Sequence, residues 1–468
     1  MNFIGREKEL RALENQFESG QFELSVIYGR RRIGKTRLIR EFIEGKDAIY
    51  FLAVEAGETL NLRLLSQAIY RLTNPERSLP PFQDFEQAFR YLGEAAKDKR
   101  IIFVIDEFPY LAAASQGVAS VLQAAIDQYL RDTQLFIILC GSSMSFMENQ
   151  VLGAKSPLYG RRTAQYALMP FTFFETRQYL ERMPVEDIAI AYGMTGGVAE
   201  YLSFIRQSES LEENIIRLFL NPDGRLFEEP ANLLKQELRE PKIYNSVLGA
   251  VANGATRSNE IAQATGISGN ALNRYIQSLM ELKILVREKP LGDNSPRKSI
   301  YRVRDGMFRF WYKFVQPNLN NLMLGLSKEV FRNLIQPEFS AYMGEVFEAI
   351  MLDYFDARQV VETLPFFVSQ RGRWWGNNPV KKREEEIDLV AIGKGGILFG
   401  EAKWHNKPVD SDVIRELMEK SVIFKEEPKY YMLFSRKGFT ENAKNLAASH
   451  SRIELVSYHE MAEFSPSV

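Results

Sequence analysis

The sequence has little cysteine and little histidine. Cys140 is the single cysteine among 468 residues, and the three histidines are His405, His450 and His459. One cysteine makes no intramolecular disulfide, and this inventory supplies neither a Cys/His zinc site nor a haem-attachment motif. An excess of either charge is also missing. The 59 Lys+Arg and 60 Asp+Glu leave a net charge of −1, so attraction to a polyanion must come from local clusters rather than from the field of the whole chain. No apolar run approaches the roughly 20 residues that span a bilayer. The first eight residues carry charges where a signal peptide needs an apolar centre. The expectation is a cytoplasmic protein without a membrane segment. Repeats and low-complexity tracts are absent as well, and the length points to several domains.

What is present changes character along the chain. Apolar runs at 24–28, 48–53, 101–105 and 135–140 alternate with amphipathic stretches at 36–43, 60–72 and 118–130. That is the βαβα rhythm of a mostly parallel sheet. Residues 170–220 read as helical, with Phe171, Phe173, Phe174 and Tyr179 spaced along them and a Gly196-Gly197 turn, so they read as a helical lid. Amphipathic segments follow at 243–251 and 258–264, the latter with Ser258 as its N-cap. A Thr265-Gly266-Ile267-Ser268 turn, a third helix at 269–282, and strands at 285–288 and 299–303 complete the unit. The loop between those strands contains Gly292, Asp293, Asn294 and Pro296. Three helices and a hairpin outline a winged helix-turn-helix. Residues 335–460 alternate helix and strand again.

The segment Gly29-Arg30-Arg31-Arg32-Ile33-Gly34-Lys35-Thr36 satisfies G-x-x-x-x-G-K-[ST] between an apolar strand and a helix. Its glycines let backbone N–H groups curl around the phosphates of a nucleotide, with Lys35 as a point charge and Thr36 as a hydroxyl for Mg²⁺. Arg37 continues the loop into the helix. Further on, the apolar run at 101–105 ends in Asp106-Glu107. Asp106 is the expected carboxylate for Mg²⁺, and Glu107 the expected general base for an attacking water.

Together with Phe3-Ile4-Gly5-Arg6-Glu7 and Gly141-Ser142-Ser143, these motifs make residues 1 to about 235 resemble the AAA+/STAND ATPases, in the branch often called the archaeal ATPase family. The resemblance implies ATP and Mg²⁺ as ligands. It places Ile4, Gly5 and Arg6 beside the adenine and makes Ser142 or Ser143 a sensor of the γ-phosphate. It also offers Arg161, in Tyr159-Gly160-Arg161-Arg162, as an arginine finger acting in cis or from a neighbouring subunit, which leaves a homo-oligomer open. No basic residue follows Gly196-Gly197 closely, so no sensor-2 arginine is implied.

In the helix-turn-helix segment, Leu272, Ile276 and Leu279 fall on one helix face and Asn270, Asn273, Arg274 and Gln277 on the other. Amide and guanidinium groups suit base edges and phosphates, and further Lys and Arg lie between Arg287 and Arg304. The alternative is a packing or oligomerisation module.

A second acidic constellation lies near the C-terminus. Five basic residues, Arg371, Arg373, Lys381, Lys382 and Arg383, precede Glu384, Glu385, Glu386 and Asp388. The turn Gly393-Lys394-Gly395-Gly396 then joins two apolar strands. A hairpin centred on Lys394-Gly395 pairs residues whose numbers sum to 789, which sets Asp388 opposite Glu401 with Lys403 on the same face. Two carboxylates and a lysine suit one or two Mg²⁺ ions and the charge that develops on a phosphate.

With Gly344-Glu345-Val346-Phe347-Glu348, Trp374-Trp375, Ile387-Asp388 and Gly400-Glu401-Ala402-Lys403-Trp404, this region resembles the PD-(D/E)XK nuclease fold, which is similar to restriction endonucleases. The resemblance implies Glu348 as a further metal ligand and Asp388, Glu401 and Lys403 as catalytic residues.

The expected architecture is therefore α/β: a P-loop ATPase with helical lid at 1–235, a winged helix-turn-helix at 236–315, and a nuclease-like α/β domain at 316–468. The expected function is an ATP-hydrolysing, DNA-associated protein whose ATP state controls the last two domains. The competing expectation is a STAND-type switch that controls assembly or a protein partner, with an inactive nuclease fold.

Overall fold

A computed structural model of the chain describes residues 3–238, 240–293, 295, 298–379 and 381–465. Asn294, Pro296 and Arg297 of the expected wing loop lie outside the described residues. The chain divides into two compact units.

The first unit comprises the residues up to Pro170 together with Val198–Glu200. Its sheet contains β1 (Glu23–Tyr28), β2 (Ala48–Leu52), β3 (Ile101–Asp106), β4 (Leu135–Gly141) and β5 (Ala164–Ala167) in the order β2-β3-β4-β1-β5. Every pairing is parallel. Strands β3 and β4 are apolar up to the Asp106 that ends β3, because both of their faces are covered. Phe103, Ile105, Ile137 and Leu139 point into one cluster, while their neighbours Ile102, Val104, Phe136 and Ile138 point into the other. The helix Lys35–Ile43 buries Leu38, Ile39 and Phe42 on one face, the spacing expected of an amphipathic helix. Strand β5 and the helix Phe85–Ala95 were absent from the sequence reading; β5 is a short edge strand with no fully buried residue.

The second unit takes Phe171–Gly197 and the chain from Tyr201 onward. The helices Phe173–Tyr179 and Val185–Thr195, expected with the ATPase, thus belong to the same compact unit as the C-terminal region. Three helices, Pro241–Ala252, Ser258–Thr265 and Gly269–Glu281, precede an antiparallel pair of strands, β6 (Leu285–Glu288) and β7 (Ile300–Val303). Ser258 sits inside its helix rather than capping it. The Glu260 carboxylate takes the N–H groups of Thr256 and Arg257 instead, both at 2.9 Å, satisfying donors that the first turn leaves open.

The long helix Phe339–Val360 leads into a mixed sheet of β8 (Val368–Asn378), β9 (Arg383–Gly393), β10 (Gly396–Lys403), β11 (Lys429–Ser435) and β12 (Ile453–Ser457), in the order β12-β11-β10-β9-β8. β8, β9 and β10 pair antiparallel, while β10, β11 and β12 pair parallel through helical crossovers. Among the described residues no helix is long and apolar enough to cross a membrane.

Candidate functional site

The first site forms where the carboxyl ends of β1, β3 and β4 meet. The loop after β1 has positive φ at Gly29, Arg32 and Gly34. At Gly29 a Cβ would run into the Ile33 side chain and the Leu168 carbonyl, so the close turn requires glycine. Ile33 is fully buried and anchors the loop from below. Lys35 is buried too, and its ammonium donates to the Gly29 carbonyl at 2.8 Å and the Arg30 carbonyl at 3.0 Å. Burial pushes its pKa down against the pull of nearby acids that include Glu107 and Asp106.

Asp106 ends β3 in a set of donors. Its Oδ2 accepts from Thr36 Oγ1 at 3.1 Å and from the Tyr50 hydroxyl on β2, and its Oδ1 accepts from the Glu107 N–H at 3.0 Å. Burial and the Asp106 contact hold the Tyr50 hydroxyl well above its ordinary pKa, so it stays a donor. Glu107 adopts a left-handed backbone, φ 54°, a conformation that costs a non-glycine residue on the order of 1 kcal/mol and that clusters at active sites. It carries the carboxylate to Ser142, whose N–H and Oγ both donate to it. A hydroxyl and a carboxylate oxygen are hard donors suited to Mg²⁺, and a lysine among curled backbone N–H groups suits a polyphosphate.

The other expected nucleotide contacts separate into two groups. Arg6 is buried and donates to the Ile33 carbonyl at 3.2 Å and the Met169 carbonyl at 2.6 Å, which ties the Ile4-Gly5-Arg6 segment to the phosphate loop. Arg31 reaches the Tyr110 hydroxyl, and Arg32 pairs with Glu200 at 3.4 Å. Two arginines are not brought to the site. Arg37 is exposed and pairs with Glu41 one turn along its own helix. Arg161 makes a two-pronged contact with Asp127, at 3.1 and 2.6 Å, and also donates to the Pro157 and Tyr159 carbonyls. A guanidinium at or near the surface settles on the nearest carboxylate when nothing else demands it.

The second site lies on β9 and β10. The register expected from the turn runs from Gly393–Gly396 to Leu389–Gly400, one step short of Asp388 and Glu401. Asp388 Oδ2 then accepts from the Ala402 N–H at 2.9 Å. Lys403 pairs with Glu401 Oε1 at 2.7 Å, and Lys420, from the helix Ser411–Lys420, approaches the same oxygen at 3.4 Å. Glu401 Oε2 is buried and has no hydrogen-bond partner among the described residues. Burial first, and then the Glu401 charge, hold the Asp388 carboxyl above its usual range. Burial would lower Lys403, but Glu401 and Asp388 outweigh it and raise it.

Glu348 lies against two arginines. Its carboxylate accepts from Arg373 at 2.7 Å and has Arg302 at 3.5 Å. Burial and Asp388 raise its pKa. Among the described residues no group of three or more His, Cys, Asp or Glu side chains is arranged to hold a metal ion, so Glu348, Asp388 and Glu401 do not form a ready three-carboxylate set. The basic run before Asp388 is likewise engaged. Arg371 pairs with Asp356, Arg373 with Glu348 and Glu386, Lys381 with Glu419, and Arg383 with Glu385. In the helix Gly269–Glu281, Asn270, Asn273, Arg274 and Gln277 are exposed and Leu272, Ile276 and Leu279 buried, as the periodicity requires. Tyr50 and Lys420 were missed by sequence reasoning. Only Tyr50 left a trace, as the one hydroxyl in the strand Ala48–Leu52.

Comparison with known proteins gives two family matches. Residues 3–205 match a family described as "ATPase domain predominantly from Archaea", and residues 311–417 match "Archaea bacterial proteins of unknown function". An uncharacterized protein of Methanocaldococcus jannaschii is 32% identical over 445 residues, covering 93% of this chain and 96% of the relative. A Walker-type ATPase of Pyrococcus abyssi resembles the chain with a TM-score of 0.49 and 21% identity, covering 66% of this chain and 96% of that one. The Aeropyrum pernix ORC1 protein in complex with DNA gives a TM-score of 0.36 and 16% identity, over 69% of this chain and 95% of that one.

Proposed function

From the premise that this chain belongs to the archaeal ATPase family, we propose that it binds and hydrolyses ATP at the Gly29 to Thr36 loop and couples the nucleotide to a DNA-associated winged helix and a Mg²⁺-dependent nuclease-like domain. One observation carries the ATP assignment: Thr36 and Ser142, from separate segments, hydrogen-bond to the adjacent carboxylates of Asp106 and Glu107. In this reading Lys35 leaves the two carbonyls it holds and takes the phosphates. Thr36 and Asp106 would hold Mg²⁺, which would supply charge neutralisation at the phosphates. Glu107 takes a proton from the attacking water, while Ser142 keeps that carboxylate in place.

The nuclease-like assignment is supported by the unpartnered Glu401 Oε2 beside Asp388, because a buried carboxylate oxygen with no donor is an acceptor site for a cation. Asp388 and Glu401 would hold Mg²⁺ with Lys403 steadying phosphate charge, and Asn270, Asn273, Arg274 and Gln277 would face DNA.

A second reading has its own support. The basic run at 371–383 is largely paired with carboxylates, which favours a STAND-type switch for a protein partner over a DNA-binding face. One experiment separates them: ATPase and DNA-cleavage assays of wild type, Lys35→Ala and Asp388→Ala with Mg²⁺. Loss of ATP turnover only in the first variant and of cleavage in the second supports the nuclease reading. ATPase activity without cleavage in wild type favours the switch, and full ATPase activity in Lys35→Ala removes the nucleotide-site assignment.

A further inference from the structure

The hairpin β6–β7 is built onto the acidic end of the C-terminal site. Leu291, in the loop after β6, packs against the apolar cluster of β9 and β10, and its N–H donates to the Arg373 carbonyl at 2.8 Å. Trp375 of β8 donates to the Lys298 carbonyl at 3.2 Å on the far side of the same loop. From β7, Arg302 reaches Glu345 at 3.1 Å, Glu348 at 3.5 Å and Glu288 at 3.9 Å. Arg373 meets Glu348 from the opposite direction and also pairs with Glu386. It lies within a register shift between Gly372 and Trp374 of β8, a local irregularity of the kind that re-aims a side chain.

Both guanidinium groups converge on one oxygen, Glu348 Oε2. A guanidinium there occupies the lone pairs and supplies the positive charge that a divalent cation would otherwise supply. Stability alone gives a weak reason for such an arrangement, since desolvating partly buried ion pairs offsets much of their attraction. We propose that the β6–β7 hairpin is an autoinhibitory latch in which Arg302, with Arg373, holds Glu348 out of the Asp388–Glu401 cation site until the hairpin undocks. The inference rests on the reading of Asp388 and Glu401 as that site and adds its regulation. Undocking removes Arg302 and the Leu291 anchor together, because both belong to the hairpin. Glu348 then keeps one of its two guanidinium partners, Arg373, and a divalent cation at Asp388 and Glu401 competes for it with one arginine instead of two.

The test is Mn²⁺ binding to the full chain without nucleotide or nucleic acid, by calorimetry and by the electron paramagnetic resonance of free Mn²⁺. Wild type, Arg302→Gln and the double variant Leu291→Ser/Trp375→Phe are each compared with and without Asp388→Asn. The Asp388-dependent site is expected to tighten about tenfold in Arg302→Gln, equivalent to about 1.4 kcal/mol. The double variant loosens the hairpin without changing a charge and is expected to move in the same direction. It decides alone if Arg302→Gln does not fold. Equal affinity in wild type and both hairpin variants, abolished in each by Asp388→Asn, overturns the latch and leaves the cation site standing. Absence of Asp388-dependent binding in every protein overturns the cation site, and the latch with it.

Discussion

Glu107 receives two hydrogen bonds from Ser142, one from the backbone N–H at 3.2 Å and one from Oγ at 2.9 Å. The residue that follows β4 thereby fixes the carboxylate that follows β3, in a backbone conformation only a constrained residue keeps. Glu107→Gln is expected to retain ATP binding and lose hydrolysis by about 10²–10⁴-fold, the usual range for a general base. Ser142→Ala, which leaves the backbone donor, should lose much less. Single-turnover hydrolysis measured beside fluorescent-nucleotide binding checks both. Wild-type hydrolysis by Glu107→Gln would place the base elsewhere.

Tyr50 shares the Asp106 Oδ2 with Thr36. Hydrogen bonds to a charged group contribute about 1.5–3 kcal/mol, so Tyr50→Phe frees the carboxylate from a substantial restraint while keeping the ring. The Mg²⁺ concentration that half-saturates ATP binding should rise about tenfold, with nucleotide affinity in EDTA unchanged. An unchanged Mg²⁺ dependence in the variant would limit Tyr50 to packing.

Asp353, on the helix Phe339–Val360, accepts from the Phe173 N–H at 2.8 Å and the Tyr192 hydroxyl at 3.0 Å. Burial pushes its carboxyl up to about 6, with Asp356 and Glu175 adding to the rise and the two donors opposing it. The unfolded carboxyl releases its proton near pH ~4 while the folded one keeps it to about 6. The unfolded state therefore binds fewer protons over this interval, and this group makes stability fall as pH rises from about 4 to 6, on the order of 3 kcal/mol, with no further change above. Asp353→Asn stays neutral and keeps an acceptor. Thermal melts from pH 4 to 8 should show the variant gaining on wild type across that window. Parallel curves would show that the carboxyl does not titrate there.

The parts legible in the sequence are those set by short-range rules. The parallel sheet follows from alternating apolar runs, the phosphate loop from eight consecutive residues, and the β9–β10 register from a two-residue turn and the period of a strand. The helix Gly269–Glu281 sorted its faces by periodicity alone. Contacts made across long separations left no local signal. Tyr50 meets Asp106 56 positions away, and Asp353 meets Phe173 180 positions away. Arginines were read least well. Arg161 and Arg373 satisfy a motif and a basic run, yet each went to a carboxylate whose proximity only the fold creates, whereas Arg37 took Glu41 four residues along its own helix.

Residues 171–197 lie within the stretch that matches the ATPase family, yet their side chains belong to the other compact unit. Glu186 is gripped by Arg436 and Lys437, the Tyr342 hydroxyl donates to the Gly193 carbonyl, and the Tyr458 hydroxyl donates to that of Val185. The consequence concerns inheritance. A chimaera that joined two relatives near residue 205 would set one lineage's helices at 173–195 against another lineage's C-terminal region. Such a chimaera would break these contacts, so the two matched regions are expected to be inherited together.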